Sequence, residues 1–177
     1  MTALFADFTA GIPIVLDSDE QGVRLAMAVA IDAQGDGELP FGAVLADAEG
    51  RVVLIERDRV AEFNDRTQHA ETRLVKTACA QFGPDLSGFT LYTTCEPCAM
   101  CFTTAWLARV SRLVCGTNMQ AVYERSGGLH REMPVTARAM NQAGGGAVEL
   151  VEGVLAEECL ALFDGVDFPA PDSQPQL

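Results

Sequence analysis

The chain has 177 residues, 49% hydrophobic and 21% charged, with a formal net charge of −13. That length suits one domain with a substantial core, and that composition excludes a disordered chain. Excess negative charge repels phosphate backbones and no run of Lys and Arg relieves it, so nucleic acid is disfavoured against a small ligand. No apolar stretch approaches the roughly 18 residues of a membrane span, and no basic segment leads into an apolar one at the start. Neither a span nor a signal peptide is expected, so the six cysteines read as reduced thiols in a cytoplasmic protein.

In chain order, residues 20–33 place Val23, Met27, Ala30 and Ile31 at helical spacing, with Asp17, Ser18 and Asp19 as caps. GDGELPFG is a loop, and GAVLADAEGRVVLIER reads as two short strands around a bend at Asp47, Glu49 and Gly50. A helix is expected over 70–82, with Ala70, Leu74, Val75, Ala78 and Phe82 on its inner face. FGPDLSG punctuates, and FTLYTT is a strand of β-branched and aromatic residues. A helix over 97–109 follows, then the strand RLVCGT, a last strand in VELVEGVL and a closing helix over 155–163. Within the ambiguous stretch 119–146, TARAMNQA reads as a short helix and AGGG as a turn. The pattern predicts a layered α/β domain with a core over about 18–163 and a Pro-rich tail over 164–177.

The chemistry gathers in two pieces, TQHAETRLV and TTCEPCAMC. Cys98 and Cys101 are three apart, which puts both thiols on one face of a helix. Pro97 suits the first helical position and Glu96 the favourable end of the dipole. A Cys-x-x-Cys pair serves either as a redox couple or as metal ligands. His69, at the start of another helix, supplies a third ligand, and three protein ligands with one open position is the pattern of a catalytic zinc. Cys95 is either a fourth, site-closing ligand or a packed thiol. Glu71, in the first turn after His69, can take a proton from a zinc-activated water and deliver it to a leaving group.

These residues carry a family resemblance. His69-Ala70-Glu71 followed by Pro97-Cys98-Ala99-Met100-Cys101 is similar to the H-x-E…P-C-x-x-C signature of the zinc-dependent cytidine deaminase superfamily. PFGAVLAD, ND-x-T-x-HAE and LYTTCEPCAMC resemble its guanine deaminase and tRNA adenosine deaminase branch, over residues 20–117. The resemblance implies a three-layer α/β/α domain with a central five-stranded mixed sheet, a Zn2+ cofactor on His69, Cys98 and Cys101, Glu71 as proton shuttle, and a homodimer. Eleven residues before the zinc histidine this branch carries an Asn that reads the base edge; here the position is Asp58. An ionised carboxylate only accepts hydrogen bonds, which points to a substrate edge rich in N–H groups. The competing reading of Asp58 is a surface carboxylate at a strand end.

Other candidates stay open on sequence alone. Phe41 either stacks on a planar base or packs in the core. Asn64 either touches ligand or shapes its loop. Main-chain N–H groups near Ala70 and Cys98 are placed to steady developing negative charge. His130, in GGLHREM, reads as a surface histidine or a substrate contact, Trp106 as core or dimer interface, and Tyr123, Glu124 and the tail around Asp167 and Phe168 as possible caps on the pocket. The expected function is hydrolytic removal of ammonia from a free amino-heterocycle, guanine or a related aminopurine or aminotriazine. The alternatives are a tRNA adenosine deaminase, a cytosine or nucleoside deaminase, and a zinc module without catalysis.

Overall fold

A computed structural model describes residues 3–130 and 132–169. The elements are α1 (Ala3–Thr9), α2 (Asp19–Gly35), β1 (Gly42–Ala46), β2 (Val52–Arg57), α3 (Val60–Phe63), α4 (Ala70–Phe82), β3 (Thr90–Cys95), α5 (Ala99–Leu107), β4 (Arg112–Thr117), α6 (Met119–Arg125), α7 (Ala137–Ala143), β5 (Glu149–Glu152) and α8 (Ala156–Ala161). The strands form one sheet in the order β2-β1-β3-β4-β5. β1 pairs antiparallel with β2 and β3, whereas β3–β4 and β4–β5 are parallel. The five-stranded mixed sheet is therefore as expected.

Two-residue alternation sorts the side chains into two layers. Val44, Tyr92 and Val114 lie in one row across the sheet and pack with Val23, Leu25 and Val29 of α2 and with Cys159 of α8. The next row, Leu45, Leu91 and Leu113, faces the other way onto Leu74, Val75 and Ala78 of α4 and Phe102 of α5. A third cluster, Cys95, Cys98, Cys101, Met119, Val122, Phe163 and Phe168, closes the end of the sheet where β3 and β4 finish. No described helix is long and apolar enough to cross a membrane.

Several expected details move. In α2, capped by Ser18, Ile31 is 49% exposed and Met27 is not fully buried; the helix seats through Val23, Ala26, Val29, Ala30 and Ala33 instead. Small residues win because β1 comes very close: a Cβ on Gly42 would stand 2.2 Å from the Ala26 carbonyl oxygen and 2.7 Å from the Ala30 nitrogen. Phe82 turns outward and pairs with Phe89, ring centroids 5.4 Å apart. Pro97 is not in a helix, because Cys98 is the N-cap of α5. The last strand keeps only Glu149–Glu152, ended by Gly153 at φ +81°. The ambiguous stretch holds α6 besides the expected α7, and α1 and α3 were not anticipated.

The close seating of α2 gives a stability test. Gly42→Ala forces the helix and strand apart and lowers stability by about 1–3 kcal/mol. Urea denaturation should show a lower midpoint at unchanged slope; an unchanged midpoint would mean that α2 rides away from β1 freely.

Candidate active site

The two pieces singled out in the sequence meet at the end of the sheet. His69 is the N-cap residue of α4 and Cys98 that of α5, and neither side chain caps its own helix. Both side chains are thus left to face each other. His69 Nδ1 lies 3.7 Å from Cys98 Sγ and 3.6 Å from Cys101 Sγ, and the three donor atoms fall within 4.8 Å of one another. Tetrahedral zinc, with bonds of about 2.3 Å to sulfur and about 2.0 Å to nitrogen, sets nitrogen and sulfur roughly 3.5 Å apart. These separations are within reach of sulfur hydrogen bonds and also match what a shared cation needs. Among the described residues the group has these three members. Cys95 sits buried at the end of β3, outside the group, and burial pushes its thiol pKa well up.

The electrostatics suit a cation. The hydrogen bond from Cys101 is the largest influence on Cys98 and, with His69 and against burial, drives its pKa well below the ordinary thiol range. Thr72 Oγ1 stands 3.3 Å from Cys101 Sγ, so a hydroxyl from the first turn of α4 supports the second sulfur. Glu71 is 5% exposed, and its Oε1 accepts a 2.7 Å hydrogen bond from Thr93 Oγ1 of β3. Burial raises its pKa above the usual carboxylate value. Glu71, His69 and Cys98 line a recess of about 20 Å³, enough for one water.

Outside that recess opens a cavity of about 530 Å³, within the range of small-molecule sites. Asp58 lies on its wall, 2% exposed, with Oδ1 accepting from the Val60 N–H at 3.1 Å. Burial lifts its pKa to about 7. It is therefore no surface carboxylate. Phe41 also lines the cavity, but its ring already stacks on His130 at 5.3 Å and packs against Phe163 at 5.1 Å. Asn64 is exposed, does not line the cavity, and ends α3 in the left-handed conformation at φ 49°. The Ala70 side chain is fully buried in the core, so only its main chain can serve a ligand.

Sequence reasoning missed part of this wall. His130 is not a surface residue: it lines the cavity, and burial lowers its pKa to about 4, so it stands neutral beside Glu132, Nε2 to Oε1 3.6 Å. Glu132 lines the same cavity, with a pKa raised first by burial and then by Cys98. Glu38 was also missed. Its carboxylate accepts from the Ala61 and Glu62 N–H groups at 2.8 and 2.6 Å and so holds α3, next to Asp58, in place. The available signal for the wall was Gly127-Gly128 followed by His130 and Glu132 between two apolar segments.

Residues 16–117 match the cytidine and deoxycytidylate deaminase zinc-binding region. The chain belongs to this zinc-binding deaminase family. The deaminase is 31% identical over 155 residues to a probable cytosine deaminase of Schizosaccharomyces pombe, covering 84% of this chain and 92% of that one. It is 41% identical over 95 residues to a tRNA-specific adenosine deaminase of Agrobacterium fabrum, covering 53% of this chain and 62% of the relative's length. A guanine deaminase structure from Nitrosomonas europaea superposes with a TM-score of 0.76 over 92% of this chain and 91% of that one, at 21% identity. The fold is thus cytidine deaminase-like, with a zinc-binding His/Cys/Cys group, while the relatives are named for three different substrates.

The supporting hydroxyl at Cys101 is open to test. Thr72→Val should weaken zinc binding about tenfold in a chelator competition, as loss of a partner to a ligand atom does. Cys101→Ala should purify nearly free of zinc by atomic absorption. Zinc content unchanged in Cys101→Ala would rule out this cluster as the metal centre.

Proposed function

We propose that the chain is a zinc-dependent hydrolytic deaminase of a free amino-heterocycle, guanine or a related aminopurine or aminotriazine, releasing ammonia. The observation that carries this reading is the buried Glu71 carboxylate in a one-water recess beside His69, Cys98 and Cys101, at the floor of a cavity sized for a single ring system. A zinc module without catalysis has no use for that carboxylate. Residues 1–177 are read as one deaminase domain acting as a cytoplasmic homodimer. Phe168 and Pro169 of the tail line the cavity as a cap would, and the rest of the tail, 170–177, lies outside the described residues.

His69, Cys98 and Cys101 hold the metal. When bound, zinc lowers the pKa of a water toward about 7 and so supplies the nucleophile. Glu71 takes the proton that the nucleophile gives up while Thr93 fixes one of its oxygens. Glu71 then passes that proton to a ring nitrogen of the substrate, and carries the second proton, from the newly added hydroxyl, to the departing nitrogen. A C–O bond forms at the amino-bearing carbon, the C–N bond breaks, and the nitrogen leaves as ammonia. Asp58 accepts from N–H groups of the substrate edge, and Phe41 backs the ring plane together with His130.

Charge favours a small substrate over RNA. The net charge is −13, and the cavity wall carries Asp58 and Glu132 against Arg66 as its one arginine or lysine among the described residues. A polyanion would meet this surface with little counter-charge. The second reading, a tRNA adenosine deaminase, draws on the Agrobacterium relative.

Ammonia release from guanine, guanosine, adenine, cytosine, cytidine, ammeline and an anticodon-loop RNA separates the two. Release from a free base is expected, reduced about 10²–10⁴-fold in Glu71→Gln with zinc retained. Release from the RNA alone would replace the first reading by the second, and silence across the panel with zinc bound would favour the non-catalytic module. Asp58→Asn should reorder the bases, losing most on those that present the most N–H groups. An unchanged ranking removes Asp58 from specificity.

A further inference from the structure

One wall of the cavity, 118–136, is anchored at both ends by a single side chain. The Glu96 carboxylate accepts the Met119 N–H at 3.3 Å through one oxygen and the Ala137 N–H at 2.8 Å through the other. These donors lie 23 and 41 residues away in sequence, at the first residues of α6 and α7. Between them the chain carries Tyr123, Leu129, His130, Glu132 and Met133, all lining the cavity. Glu96 also donates its own N–H to the Thr117 carbonyl at 2.7 Å, tying it to the end of β4. Two residues on is Cys98, in the floor.

Glu96 is 6% exposed, and no cation pairs with it among the described residues. A buried carboxylate without a cation is costly unless its oxygens are filled by donors. Here the donors are the two ends of the wall, so both carboxylate oxygens are filled while both ends are docked. The side chain thus acts as a staple between the strand-to-helix turn that bears Cys98 and the segment that bears His130 and Glu132.

We propose that Glu96 is a positioning residue that fixes the 118–136 wall against the metal floor and thereby sets how tightly the substrate is held. This rests on the deaminase reading for its kinetic part only. Glu96→Gln preserves shape but offers an NH₂ group where one of the two main-chain N–H donors needs an acceptor. One end of the wall is then released. The metal ligands and Glu71 are anchored by β3, α4 and α5 and keep their places.

The test is hydrogen–deuterium exchange on zinc-loaded wild-type and Glu96→Gln protein, with steady-state kinetics on whichever base is turned over. The variant should exchange faster across 118–137 than wild type while 70–79 and 99–107 keep their protection. It should retain one zinc per chain and raise KM about tenfold, the lower range for residues that act through others, with kcat changed less. Should Glu96→Gln fail to fold, Ala137→Pro removes one donor from the other side. Proline is tolerated at a first helical position, and Thr136, at ψ 151°, has the extended backbone that a following proline requires. Exchange across 118–137 and KM both at wild-type values, in whichever of the two variants folds, would overturn the proposal. If no base is turned over even by wild type, the kinetic reading of the site fails, and exchange still decides whether Glu96 holds the wall.

Discussion

Parallel pairing of β3 with β4 is the constraint on which the site depends. Both strands run in one direction and end at one edge, with Cys95 opposite Thr117. The chain leaves β3 straight into the Cys98 turn and leaves β4 straight into α6, so metal floor and cavity wall start side by side. α4 packs across β1 and β2 with its N-terminus at the same edge, which brings His69 to the sulfurs. Ligand crevices form at such strand ends in open α/β sheets, because chain ends diverge there and leave room.

At this edge, buried charge is arranged in an unusual density. Glu38, Asp58, Glu71 and Glu96 are all under a tenth exposed. They divide by what fills their oxygens. Glu38 and Glu96 are filled by pairs of main-chain N–H groups and act as struts for α3 and for the 118–136 wall. Among the described residues Glu71 and Asp58 each hold one donor from another residue, Thr93 and the Val60 N–H, and burial raises the pKa of both. Carboxylates whose acceptors are filled by the fold support structure, and those with spare capacity face the ligand spaces. Residue type alone does not separate these roles; the donor count does.

This difference explains what was legible in the sequence. The metal cluster can be read because coordination chemistry restricts residue type and local spacing, as in His69 and Cys98-x-x-Cys101. The central strands can be read because burial on both faces leaves dense apolar runs such as Gly42–Ala46. The wall is only faintly marked, by Gly127-Gly128 ahead of His130 and Glu132, since its two ends donate main-chain N–H groups to Glu96, which is remote in sequence. Ile31 and Phe82 mislead because periodicity marks an apolar stripe but not which part of it a neighbour covers. Close approach at Gly42 selects the alanines of α2 and leaves Ile31 outside. Glu96, taken for a dipole partner of α5, instead serves α6 and α7.

The aromatic contacts join parts of the chain that share no strand or helix. Phe41 lies before β1, His130 between α6 and α7, and Phe163 and Phe168 beyond α8, yet their rings touch in sequence, with centroids from 5.1 to 6.3 Å apart. The metal-binding group, by contrast, comes from two short pieces, one at His69 and one at Cys98 and Cys101. The metal cluster and the enclosure are therefore built from separate parts of the chain. Changes in the outer rings and loops would reshape the chamber without touching His69, Cys98 or Cys101, which gives a physical basis for one family carrying members named for cytosine, guanine and tRNA adenosine.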